Sequence, residues 1–210
     1  MRRVGPELRF AATLLLLFLI AQQVDQWIFH HFTFHAIYDR AWGRVLRLAG
    51  YFPLWGIVAL ALVLHDWAPR GLSTLPWASR RGLLLFWSAA LGGIIAELLK
   101  IVLRRERPGL TDGAHVFRPW SEQPFSTARL GLPSSEVAVA FAAATALARL
   151  FPRAWVLWYA LAVGCAFTRV ASGAHFLSDV LLAALVGYLS TLILWRRRGP
   201  TGPQAPADCV

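Results

Sequence analysis

The 210-residue chain is 57% hydrophobic and only 15% charged, where a soluble domain carries nearer a quarter charged residues. Its net charge of +10 comes without a basic patch interleaved with aromatics, which argues against nucleic acid as a partner. The apolar residues fall in blocks of near membrane-spanning length, so the expectation is one compact all-α bundle in a membrane.

The first block runs from Leu8 to Val24, preceded by Arg2, Arg3 and Arg9. It lacks a convincing small-residue cleavage site after it and reads as a retained helix. From Asp25 to Gly50 the chain is more polar and aromatic and carries His30, His31 and His35, as an interfacial amphipathic segment does. The second block spans Tyr51 to Leu64, followed by a loop with Asp66, Arg70, Pro76, Arg80 and Arg81. The third, Gly82 to Val102, runs into the charged stretch Lys100 to Arg107, closed by Pro108. Gly109 to Leu132 is loop-like, with Gly, Pro, Asp and Ser well represented.

The fourth block, Pro133 to Phe151, is rich in small residues, which suit close helix–helix contact inside a bundle. Pro152 and Arg153 separate it from the fifth, Ala154 to Ala171; the sixth runs from Ala174 to Trp195 and stops at Arg196, Arg197 and Arg198. The predicted architecture is therefore six transmembrane helices in a single domain over 1–198, with a disordered Gly/Pro tail over 199–210. Cys165 falls within a predicted span and Cys209 in the tail, so no disulfide framework is expected.

Six spans put both termini on one side, with Arg2, Arg3, Arg9, Arg70, Arg80, Arg81, Arg149, Arg153 and Arg196 to Arg198. The positive-inside rule makes that side the cytoplasm, and Trp27, Trp67, Trp77, Trp155 and Trp195 sit near span ends like an aromatic belt. The loop from Arg104 to Leu132 breaks the rule, being rich in arginine yet outside. Arg118 and Trp120 within it read either as headgroup contacts or as parts of a solvated loop.

Three polar groups interrupt the spans, all at the outer face. The first holds Lys100 and Arg107, seven residues apart; on a continuing helix they lie about 20° off a common face and suit an anion with several oxygens. The alternative is a basic helix end snorkelling to the interface. Lys100 is the only lysine among the 21 basic residues, which favours a site. The second is Pro133-Ser134-Ser135-Glu136, where Pro at the first helical position and adjacent hydroxyls describe a helix N-terminus able to bind phosphate, or simply a capped helix. The third holds Thr168, Arg169, His175 and Asp179. His175 and Asp179 are one helical turn apart, so the carboxylate can fix the imidazole tautomer and free the other nitrogen as nucleophile or base. Ser172-Gly173 allows a turn that brings Arg169 to His175. A polar interhelical pair or a metal site are the other readings, metal being disfavoured by the cations on the same face.

Together these elements resemble the type 2 phosphatidic acid phosphatase family, the membrane branch of a superfamily that includes vanadium haloperoxidases. The family pattern is Lys, six residues, Arg-Pro; then Pro-Ser-Gly-His; then Ser-Arg, five residues, His, three residues, Asp. Lys100, Arg107 and Pro108 match the first element, and Arg169, His175 and Asp179 the third, with Thr168 for Ser. The resemblance covers Gly82 to Trp195 and implies the same six-helix topology. It implies that Lys100, Arg107, Ser134 and Arg169 hold the phosphate, with Ser135 in the Gly position still offering its backbone N–H. It further implies that His175, oriented by Asp179, attacks phosphorus to form a phosphohistidine, with no cofactor and no metal.

Glu136 stands where the family has the histidine that protonates the leaving oxygen. A carboxylic acid can do that work if its pKa is raised toward neutrality; an ionised one tied up by Arg107, Arg169 or Lys100 leaves a binding site with weak turnover. The expected function is hydrolysis of a phosphomonoester or pyrophosphate on a lipid at the outer, periplasmic or exterior, face of the cell membrane. A lipid phosphotransferase and a lipid-phosphate-binding membrane protein are the alternatives. Phosphorylated lipid and membrane lipids are the expected partners.

Overall fold

A computed structural model describes residues 5–34, 36–67 and 75–198. Arg2, Arg3, His35, Arg70 and the 199–210 tail, all of which entered the expectations above, lie outside the described residues. Among the described residues there are seven α-helices: α1 (Pro6–Phe32), α2 (Ala41–Leu48), α3 (Phe52–Trp67), α4 (Leu75–Leu103), α5 (Ser135–Leu150), α6 (Trp155–Ala171) and α7 (Leu177–Arg198). Extended pairing is limited to isolated bridges of Arg105 with Phe117 and Glu106 with Leu130.

The all-helical expectation holds, and among the described residues length and composition alone pick out four or five candidate spans. Four segments are long and apolar enough to cross a membrane: α1, α4 from Arg80, α6 with its preceding turn, and α7. A fifth arises if α2 and α3, bent by 61° at their junction, form one span. The helix over the fourth block has 16 residues, about 24 Å against a hydrocarbon core of about 30 Å.

Several boundaries differ from the pattern reading. The first helix does not stop at Val24 but continues through Asp25 to Phe32, because Asp25 is wholly buried against the N-terminal end of α7 rather than exposed at an interface. The helix carrying Lys100 ends at Leu103, where Arg104 adopts a left-handed φ of 55°. Lys100 and Arg107 therefore do not share a helix face. The fourth block becomes helical only at Ser135, with Ser134 as its N-cap and Pro133 outside the helix.

The short α5 is the centre of the bundle, packed against α4, α6 and α7. Its residues Val137 to Leu147 are all buried, so this helix is shielded by protein and needs no lipid-facing length. Inside a membrane the hydrophobic effect does not drive helix association, and close van der Waals contact between small residues does. Gly187 on α7 shows how close the contact is: a β-carbon there would meet the Ala138 carbonyl oxygen at 2.4 Å. At one end of the bundle Glu7 pairs with both Arg149 and Arg196, tying the starts and ends of α1, α5 and α7 together. The opposite end carries Lys100, Ser134, Arg169 and His175.

Gly187→Val should therefore cost about 1–3 kcal/mol of stability through overpacking. Thermal unfolding in detergent measures it, against an Ile193→Val control on an exposed position of the same helix, which should leave the midpoint nearly unchanged.

Candidate active site

The site assembles where four chain segments end at one level: the C-termini of α4 and α6 and the N-termini of α5 and α7. Lys100, on the last turn of α4, donates from Nζ to Ser135 Oγ (2.9 Å) and to Glu97 Oε1 (2.6 Å). Arg107 arrives by a different route from the one expected. After the break at Arg104, residues 105–107 run extended between two strips of the loop: Glu106 N donates to Val116 O, Arg107 N to Arg129 O and Gly131 N to Arg105 O. Arg107 Nε donates to Leu130 O (3.3 Å), and its two terminal nitrogens have no hydrogen-bond partner among the described residues.

Arg104 anchors this loop. Its guanidinium donates to the carbonyls of Arg118, Pro119, Glu122 and Pro124 and lies over the Trp120 ring. Four charge-assisted hydrogen bonds over-determine a backbone conformation that a non-glycine residue otherwise avoids. Arg118 is buried, donating to Ala128 O and paired with Glu106, so it is neither a headgroup contact nor a solvated loop residue. Trp120 is exposed.

At the start of α5, Ser134 is buried and its hydroxyl has no partner, so the side chain does not cap the helix. Arg169, at the end of α6, is buried with Nε unpaired, while its NH1 donates to the Tyr38 hydroxyl (3.1 Å). Buried donors without partners are unusual and mark where a ligand belongs. Burial, then the neighbouring Arg169 guanidinium, holds Arg107 below its ordinary value. Cations forced together in this way are relieved by an anion that bridges them.

The Ser172–Gly173 turn forms as expected, with Gly173 at φ +69°, and His175 N donates to Arg169 O (3.2 Å). His175 Nδ1 lies 3.0 Å from Gly131 O and 3.5 Å from Asp179 Oδ2. A carbonyl only accepts, so Nδ1 carries the proton and Nε2 keeps its lone pair. The closest tautomer-fixing group is thus a backbone carbonyl, with the expected carboxylate half an ångström further away. Asp179 is held by Phe176 N on Oδ2 (2.8 Å) and by Arg105 NH2 on Oδ1 (2.5 Å). Gly131 cannot be larger here, since a β-carbon would sit 2.9 Å from Asp179 Oδ2.

Glu136 faces the same space but is already engaged. Arg47 from α2 donates to it through Nε (3.2 Å) and NH2 (3.0 Å), and Arg169 NH1 lies 3.4 Å away. Of the partners expected for this carboxylate, Arg169 is present and no ion pair to Lys100 or Arg107 is formed among the described residues. Pattern reading missed Arg47, Tyr38, Arg105 and Gly131. Arg47 and Tyr38 lie in the stretch assigned to the interface, and the one signal for Arg105 was the rarity of charges in an apolar chain, which did not set it apart from its neighbours. Among the described residues no group of three or more His, Cys, Asp and Glu is arranged to hold a metal.

The arrangement gathers an imidazole with Nε2 unprotonated, the cations Lys100, Arg107 and Arg169, the α5 N-terminus and the Glu136 carboxylate at one end of the bundle. Burial, partly offset by Asp179, pushes the His175 imidazole from its ordinary 6.5 down to about 4.

The sequence model of the PAP2 superfamily matches residues 81–201. Two curated relatives, each named lipid A 1-phosphatase, come from Rhizobium johnstonii (strain DSM 114642 / LMG 32736 / 3841) and Rhizobium etli (strain ATCC 51251 / DSM 11541 / JCM 21823 / NBRC 15573 / CFN 42). Each is 36% identical over 130 residues, 60% of this chain and 52% and 55% of theirs. The chain thus spans about half the length of the curated relatives it matches. No solved structure matches it.

With its pKa depressed in the folded state, His175 adds stability in full above pH 6.5, and this is lost as pH falls toward 4. Thermal unfolding in detergent should weaken across that window in the wild type, and less so in His175→Ala.

Proposed function

The chain belongs to the PAP2 superfamily, and from that premise we propose that it is a membrane lipid phosphatase acting on a phosphomonoester or pyrophosphate of a lipid. The observation that carries the reading is His175, buried and neutral, with Nδ1 tied to Gly131 O and Nε2 free beside three cations. Lys100, Arg107 and Arg169 take the phosphate oxygens, with Ser134 Oγ, Ser135 and the α5 backbone N–H groups completing the cradle. The Nε2 lone pair attacks phosphorus and the bond to the lipid oxygen breaks, leaving a phosphohistidine. Asp179 and Gly131 O stabilise the cationic ring that results.

Glu136 supplies the proton to the leaving oxygen. The phosphate competes for Arg169, and Glu136, then held by Arg47 alone, takes up the proton that a phosphomonoester monoanion brings. It then passes that proton on and draws one from the water that cleaves the P–N bond. The names of the two relatives put lipid A phosphates among the first substrates to try.

The six-span topology is part of this proposal. It makes α5 the shielded sixth span, α2 and α3 one bent span, and the end with Arg149, Arg153 and Arg196 cytoplasmic. The active site then faces the periplasm or exterior, where a lipid headgroup of the outer leaflet reaches it. The bidentate Arg47–Glu136 pair favours a second reading, a site that binds lipid phosphate with weak turnover.

Phosphate release by detergent-purified protein separates these readings. The panel is lipid A, phosphatidic acid, phosphatidylglycerophosphate and undecaprenyl pyrophosphate, with wild type beside His175→Ala, Glu136→Gln and Glu136→His. The hydrolase reading expects turnover that falls at least ~100-fold in His175→Ala and in Glu136→Gln. A silent wild type with activity appearing only in Glu136→His selects the binding reading. Label passing from a phosphorylated donor to an acceptor lipid, without free phosphate, selects phosphotransfer.

A further inference from the structure

Behind the nucleophile lies a second polar cluster that the mechanism above does not use. Asp25, Arg105, Ser178 and Asp179 are each wholly buried. Asp25 reaches across from α1: its Oδ1 accepts from Ser178 N (3.0 Å), capping the first turn of α7, and its Oδ2 accepts from Ser178 Oγ. Arg105 NH2 donates both to Ser178 Oγ (2.5 Å) and to Asp179 Oδ1 (2.5 Å), while its NH1 lies 3.7 Å from Asp25 Oδ2. The guanidinium stacks over Phe176, the residue that follows His175. His115, edge-on to the same ring, brings Nε2 to 3.2 Å from Asp25.

Three full charges buried together are expensive, and an apolar core of similar volume holds a fold at least as well. Their arrangement has an electrostatic consequence. A lone Arg105–Asp179 pair is neutral and offers the imidazole little. With Asp25 also facing Arg105, two carboxylates share one guanidinium, so Asp179 is less fully matched by it beside the ring that turns cationic on phosphorylation.

We propose that Asp25 and Arg105 are positioning residues for the His175 nucleophile and act through Asp179. Arg105 holds the carboxylate in place, and Asp25 shares the arginine so that Asp179 keeps its charge for the imidazole. The inference rests on His175 being the nucleophile, but it extends the working site to α1, outside the 81–201 region matched by the family.

Two probes bound by the full-length, detergent-purified chain test it without needing turnover. Inorganic phosphate engages the cation cradle alone, whereas orthovanadate also accepts a nitrogen ligand, as phosphorus does under attack. By calorimetry, Asp25→Asn and Arg105→Lys should each weaken vanadate about tenfold and leave phosphate within about twofold. Asp179→Asn should weaken vanadate at least as much, and adding Asp25→Asn to it should cost nothing further, since the effect passes through Asp179. Ser178→Ala, which removes only the bridging hydroxyl, gives the same selective loss if an aspartate variant does not fold.

Equal loss of both anions would reduce the cluster to a structural role and overturn the proposal. So would unchanged vanadate binding, an additive double variant, or a wild type that binds no vanadate. A wild type that releases no phosphate from any lipid yet shows the selective vanadate pattern defeats the hydrolase reading and leaves the positioning inference standing.

Discussion

The carboxylate of Asp179 is the point on which the rest of the site depends. It takes a backbone N–H from Phe176, the Arg105 guanidinium, and the flank of the His175 ring, while the same residue's carbonyl accepts from Ser134 N. One residue therefore fixes the turn before α7, the return of the loop after α4, the His175 ring and the N-cap of α5. The contacts to Phe176 and His175 are local to the start of α7, but those to Arg105 and Ser134 reach across the chain, so the site is complete only once the bundle has closed. Gly131 makes the convergence sterically possible, by letting the loop backbone pass against the carboxylate and offer its own carbonyl to the imidazole.

Glu136 gives this site an electrostatic character that a histidine at the same place lacks. Its carboxylate sits between Arg47 and Arg169, so part of the cation field is already matched by an anion belonging to the protein. A phosphate entering the cradle must compete for Arg169 with that internal anion. Arg47 is half-exposed on a short amphipathic helix, and breaking a pair on such a surface costs far less than breaking the buried Arg105–Asp179 contact. The two arginines that hold Glu136 are thus unequal: Arg169 is buried among the bundle helices, and Arg47 is half-exposed on a short helix.

Much of the site was legible because it is written as residues that an apolar chain has no other use for. Lys100, Arg169, His175 and Asp179 stand out against long runs of Leu and Ala, and the bundle does bring them together. What was not legible depended on the backbone. Nothing in Lys100-Ile-Val-Leu-Arg-Arg-Glu-Arg107 announces that the helix stops at Leu103, because Arg104 is an ordinary helix former; tertiary hydrogen bonds to four carbonyls impose its left-handed conformation. Asp25 read as the start of an interfacial segment, since only its partner Ser178, 153 residues later, reveals it as a buried cap. Arg47 was hidden for the same reason: its value lies in Glu136, 89 residues away.

The arginine-rich outer loop shows how the same facts bear on topology. Counted as charges, Arg104, Arg105, Arg107 and Arg118 oppose the orientation set by the arginines at the far end of the bundle. In the folded chain Arg104, Arg105 and Arg118 are buried, and each is spent on carbonyls or carboxylates of the loop and its neighbours. Arg107 keeps two nitrogens for a ligand. The positive-inside rule counts Lys and Arg beside the bilayer, and three of these four are buried and engaged within the protein. The loop's charge is therefore largely taken up by the fold itself, and a bare count of its arginines overstates what it says about orientation.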